Sequence, residues 1–165
     1  MILFLFFIFF LLLENLFLPA LVGPQNFLIS PLFLAGLIIY AKNIKIKFIQ
    51  AAIFLLFWEV FSGFRIGSLV IPFVITAGLY IWINNFLEIS SGLRESDTFL
   101  AFVGGVVTMV TFVYINSWFF LFFNSSYDAM TALNELITLL TNSIFQTMGW
   151  SAGFVVLFKY ALRPK

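Results

Sequence analysis

Long apolar runs separated by short polar or turn-forming segments set the pattern of this chain. From Met1 to Leu13 no polar side chain occurs, and with its continuation to Leu18 the run covers about 27 Å as a helix, close to the hydrocarbon thickness of a bilayer. Pro19, Gly23 and Pro24 then break it. No Lys or Arg precedes the run and Glu14–Pro19 is not a small-residue cleavage site, so the segment reads as a retained first helix. A second apolar segment, 27–41, carries Pro31 in its first turns, where a missing N–H does little harm. The third, 48–61, spans only about 21 Å, and Lys45 and Lys47 are expected to snorkel at its start. The fourth, 66–87, is expected to kink at Pro72 and to approach the interface at Trp82, Asn84 and Asn85. Ser96 and Asp97 read as the cap of a fifth helix, 98–123, which stops at the turn signal Asn124–Asp128.

The last part has a different period. Thr131, Asn134, Glu135, Thr138, Thr141, Asn142 and Gln146 recur every three or four positions, which places one polar stripe along a helix. One helix from Asp128 to Leu162 would be about 50 Å long. The pattern therefore predicts an amphipathic part, 128–142, leading into a sixth span, 143–162. The expected architecture is an all-α, six-transmembrane-helix bundle forming a single integral membrane domain over residues 1–165.

Composition agrees with the bilayer as solvent: 63% of the 165 residues are hydrophobic, 9% are charged, and Phe occurs 25 times, more than a small water-soluble domain could hide. The net charge of +1 says little by itself, but its distribution orients the chain. Lys42, Lys45, Lys47, Arg94, Lys159, Arg163 and Lys165 fall on one side of a six-span topology and only Arg65 on the other. Both termini are then cytoplasmic. No basic patch points to nucleic acid. The absence of His and Cys excludes thiol, zinc and histidine-based catalysis. The only aspartates, Asp97 and Asp128, fall on opposite sides and cannot form a proton-sharing dyad. No catalysis, cofactor or metal is expected.

The candidate functional residues are the few polar ones that the bilayer penalises. A charge at mid-membrane costs about 2.5–3.5 kcal/mol even on the lenient insertion scale, so Glu59 and Arg65 require a reason. Across a tight hairpin they can pair with each other, or one of them can hold a polar group of a partner or ligand. Ser62 and Gly63 end the third helix in a turn, and Gly67 suits close helix approach. Gly104, Gly105, Thr108 and Thr111 form a small-residue seam on the fifth helix, open to intramolecular packing or to a partner. Asn134, Glu135, Thr138 and Asn142 fit either the water interface or a polar cavity. Glu14 is expected among headgroups, and Trp82, Trp118 and Trp150 at interfaces.

Six short spans, a second helix opening near Ser30-Pro31-Leu32, and a third ending in Glu59-Val60-Phe61-Ser62-Gly63-Phe64-Arg65-Ile66-Gly67 together resemble the bacterial rod shape-determining MreD family. The acid is usually aspartate there and is Glu59 here, and a glycine-rich approach to it is replaced by residues 48–57. The resemblance implies a noncatalytic inner-membrane component of the cell-elongation and peptidoglycan synthesis machinery. Its implied partners are MreC, the actin-like MreB and the peptidoglycan synthases, met through helix–helix association in the bilayer. Oligomeric state is not implied. The alternative is a substrate-binding membrane subunit of an energy-coupling-factor vitamin transporter, of similar six-helix fold. Such subunits dock through small residues on the first helix, and Met1–Leu18 contains no Ala, Gly or Ser.

Overall fold

The computed structural model describes residues 2–17, 29–62, 65–87, 93, 98–124 and 129–161. The described residues are all-helical, with no strand. Helix α1 (Ile2–Leu12) passes into a wider π turn, Leu13–Phe17, and α2 (Ile29–Ile39), α3 (Ile44–Ser62), α4 (Val70–Leu87) and α5 (Phe99–Asn124) follow. The last helix, α6 (Ala129–Val156), runs into a second π turn, Leu157–Ala161.

Helix α2 is the axis of the bundle. It packs against α1, α3, α5 and α6. All its residues except the half-buried Pro31 are buried, including Leu32, Phe33, Ile38 and Ile39. Aromatic rings fill the space around it. Phe7 stacks on Phe54 at 5.1 Å, Phe10 meets Phe33 at 5.3 Å and Phe154 edge-on at 5.0 Å, and Phe33 meets Phe158 at 5.5 Å. Each such pair adds about 0.5–1.5 kcal/mol beyond its buried area. Gly36 allows the second π turn to reach α2. A Cβ there would lie 2.7 Å from Met109 Cε and closer still to the Phe158 ring.

Helices α5 and α6 form the most extensive helix pair in the bundle. Their contact is antiparallel, since Tyr114 meets Ser143 and Thr147 while Gly105 faces Val155. Ser143, Thr147 and Ser151 stand one turn apart on the buried face. The hydroxyls of Thr147 and Ser151 donate to the carbonyls of Ser143 and Thr147, at 2.8 and 2.6 Å. This polar seam lies on α6, whereas the sequence directs attention to the glycines of α5.

Several helix boundaries differ from those the pattern predicts. Asn43 caps α3, its Oδ1 accepting the Ile46 N–H at 3.3 Å, so the lysine segment becomes the first turn of a 19-residue helix about 28 Å long. Helix α4 starts at Val70, because residues 65–69 turn before it. Pro72 therefore sits in the first turn, where no N–H is needed, and not at a mid-helix kink. Thr98 caps α5 by accepting the Ala101 N–H at 3.3 Å; Ser96 and Asp97, assigned that role from sequence, lie outside the described residues.

The amphipathic segment and the sixth span are one helix, α6, of 28 residues and about 42 Å. No proline interrupts it, and the hydroxyls of Thr138 and Thr141 donate to the carbonyls of Asn134 and Thr138, both at 3.0 Å. Length alone did not force the expected break.

Gly36→Ala is expected to lower the thermal unfolding midpoint in detergent, at a cost of about 1–3 kcal/mol for overpacking against Phe158 and Met109. Gly78→Ala, where a Cβ meets nothing within 4 Å, should be neutral or slightly stabilising.

Candidate functional site

Helix starts leave backbone N–H groups without intrahelical partners, and a carboxylate is a strong acceptor for them. Two glutamates use this chemistry here, each at the end of one helix and each reaching the start of the next. Glu59, in the last turn of α3, is fully buried. Its Oε2 accepts the Gly67 N–H at 2.8 Å, and its Oε1 accepts those of Leu69 at 2.5 Å and Val70 at 3.0 Å. The chain reaches this geometry through Gly67, whose φ of +95° is readily adopted only by a residue without a Cβ.

The arrangement replaces the expected ion pair. Arg65 is exposed, and no ion pair joins it to Glu59 among the described residues. Three N–H donors satisfy the carboxylate in place, whereas the guanidinium points outward and keeps its solvation. Gly67 likewise serves the backbone turn and not close helix approach. Ser62 closes α3, and Gly63 lies outside the described residues.

Glu14 repeats the device on the first hairpin. It lies on the π turn after α1, and its Oε2 accepts the Ser30 N–H in the first turn of α2 at 2.8 Å. A headgroup position was expected for it; the structure turns it inward. Glu14 lines one cavity with Leu55 and Trp58 from the later turns of α3 and with Leu69, whose N–H donates to Glu59, so both acids lie at one end of the bundle.

Beside Glu14 is a cavity of about 210 Å³ reached by side chains of the first π turn and of α2, α3, α4 and α5. Trp58, Phe73, Phe112 and Phe120 contribute aromatic walls, and Glu14, Asn116 and Ser117 the polar atoms. Among the described residues Asn116 Oδ1 is buried without a hydrogen-bond partner. Neither Asn116 nor Ser117 stood out in the sequence, because single polar residues on α5 have no period.

The other candidates do not converge on this cavity. Gly105 is packed beneath Tyr40 and Val155, and Gly104 against Leu93, so the glycine half of the α5 seam is intramolecular. Thr108 donates to the Gly104 carbonyl at 2.7 Å, and Thr111 is exposed beside a shallow groove with Tyr114, Trp118 and Leu133. Asn134, Thr138 and Asn142 lie exposed on α6, with Glu135 half-buried, so the stripe is on the outer surface and not in an internal cavity. No cluster of three or more His, Cys, Asp or Glu side chains able to hold a metal occurs among the described residues. Among the described residues two helices, Val70–Leu87 and Phe99–Phe123, are long and apolar enough to cross a membrane, and Leu3–Phe17 and Ile29–Ile39 form shorter apolar helices. The chain matches no known protein-family profile, no curated protein and no solved structure.

Glu59→Ala should cost about 3 kcal/mol or more, since buried N–H donors at the start of α4 lose a charged acceptor. Arg65→Ala should stay within about 0.5 kcal/mol of the parent. Unfolding midpoints of the two variants in one detergent give the comparison, and equal losses would restore the ion pair.

Proposed function

We propose that this chain is a noncatalytic six-span bundle of the bacterial inner membrane, serving the cell-elongation and peptidoglycan synthesis machinery by helix–helix association with MreC, MreB and the peptidoglycan synthases. One observation carries the membrane part of this reading. Large apolar side chains stand exposed around the bundle, among them Phe9 on α1, Ile49 on α3, Trp82 on α4, Val107 on α5 and Phe145 on α6. Water penalises such a perimeter and lipid does not.

The six-span count draws on the placement of the polar groups. Lys45 and Lys47 stand in the first turn of α3, with Lys47 Nζ donating to Gln50 Oε1 at 2.9 Å, and Glu59 is capped at the other end. Between them α3 is apolar apart from Gln50. Helix α2 has only 11 residues, but its neighbours surround it, so its length need not match the bilayer. The lysine count gives the orientation, with both termini cytoplasmic and the Glu59–Gly67 turn outside.

The elongation role rests on the resemblance of residues 59–67 to the MreD hairpin. The capping of α4 supports it, because those residues act together as one structural unit. Partner contacts then belong to the exposed flank of α5 and α6 and not to the buried Glu59. The transporter-subunit reading is favoured only by the cavity beside Glu14. At about 210 Å³ that cavity falls below the roughly 300–1,000 Å³ of sites for drug-sized molecules, so the scaffold reading leads.

The chain has no cysteine, which makes labelling clean. A membrane-impermeant maleimide should label Arg65→Cys in intact cells and Lys45→Cys only after permeabilisation. The reverse pattern would overturn the orientation. Copurification from the native host in mild detergent should recover elongation proteins; an ATPase module with a bound vitamin would favour the transporter subunit.

A further inference from the structure

The cavity beside Glu14 has an acceptor set that neither the hairpins nor the scaffold role uses. Glu14 spends one lone pair of Oε2 on the Ser30 N–H. Among the described residues Ser30 is its only hydrogen-bond partner, and no Lys or Arg pairs with it. Asn116 Oδ1 has no hydrogen-bond partner among the described residues. The Ser117 hydroxyl proton already goes to the Val113 carbonyl at 2.9 Å, which leaves its oxygen as an acceptor. A carboxylate, an amide oxygen and a hydroxyl oxygen thus line one cavity with the faces and edges of Trp58, Phe73, Phe112 and Phe120.

Acceptors with a carboxylate among them select a cation rich in donors. An ammonium carries three N–H donors and one charge on a compact head, and aromatic rings add attraction for it. A hard divalent metal asks for six or more oxygens or several carboxylates, and one carboxylate is present here. Size narrows the choice further. An apolar cavity of about 150 Å³ accommodates benzene, so about 210 Å³ holds a ring or short chain with two or three further heavy atoms.

The geometry points to a binding site for a small organic ammonium, a primary amine on a short apolar stem, with the head at Glu14, Asn116 and Ser117 and the stem among the aromatic rings. The source of that chemistry is a free amine or the amine headgroup of a membrane lipid. The assignment does not depend on the elongation role, and its failure leaves that role untouched.

The test is equilibrium binding of tritiated phenethylamine to the full chain in nanodiscs of phosphatidylcholine. Saturable binding at one molecule per chain is expected. The uncharged isostere 2-phenylethanol should compete about tenfold or more less well, and Glu14→Gln should weaken binding about tenfold or more, the effect of losing a charge-assisted contact. Asn116→Leu, which leaves the Glu14 to Ser30 contact in place, should weaken it several-fold and keeps the test decisive where Glu14→Gln does not fold. Competition by phosphatidylethanolamine in the nanodiscs identifies the lipid headgroup as the source, and absence of competition identifies a free amine. The proposal is overturned by equal competition from the alcohol, by parent-like affinity in the folded variants, or by absence of saturable binding.

Discussion

The bundle depends on carboxylates held against helix starts. In apolar surroundings the first N–H groups of a helix have no water to turn to, and leaving them bare costs about 1–3 kcal/mol each. Glu59 supplies α4 with acceptors for three of them, and Glu14 supplies one for α2. The positive end of each helix dipole in turn stabilises the carboxylate. Each acid thereby fixes the angle at which one helix follows another, and the cavity lies between the two capped starts. Without these contacts neither the turn at Gly67 nor the cavity wall at Leu69 and Phe73 has a reason to sit where it does.

Around the capped starts the structure is arranged from the inside out. Phe7, Phe33, Phe54, Phe154 and Phe158 fill the centre, and similar side chains on every helix but α2 face outward. Composition cannot separate the two populations, because both are Phe, Leu and Ile. Polar atoms follow a different rule. Several buried ones are bonded to backbone, as at Glu59, or to one another, as at Tyr114, Ser143 and Thr147, and Asn116 Oδ1 is an exception. In the membrane setting proposed for this chain, the same rule lets a helix carry hydroxyls without exposing an unsatisfied group to lipid.

The helical class and most of the apolar segments were legible in the sequence because runs of Phe, Leu and Ile bounded by Pro, Gly and Asn leave little choice. The importance of Glu59 was legible too, since a charge in such a run needs a partner. Its partner was not. Charge complementarity suggested Arg65, whereas backbone N–H groups, which no sequence displays, satisfy the acid. The same blindness hid Glu14. Asn43 and Thr98 were missed as caps because Lys42 to Lys47 read as a loop and Ser96 with Asp97 offered stronger capping chemistry. The seam on α6 was overlooked for a further reason: Ser143, Thr147 and Ser151 share a helical face, but the amides and the glutamate of the neighbouring face dominated the pattern.

The burial of α2 bears on how the molecule is made. A helix of 11 residues reaches about 16 Å, half the thickness of a hydrocarbon core, and has little hold on a membrane by itself. The helices that enclose it include α5 and α6, whose residues leave the ribosome after it. On the six-span reading α2 waits, loosely held beside α1 and α3, until the hairpin of α5 and α6 enters and closes over it. The burial of α2 is then completed only after α5 and α6 have been made, so a short helix that could not hold a bilayer alone is retained by the segments that follow it.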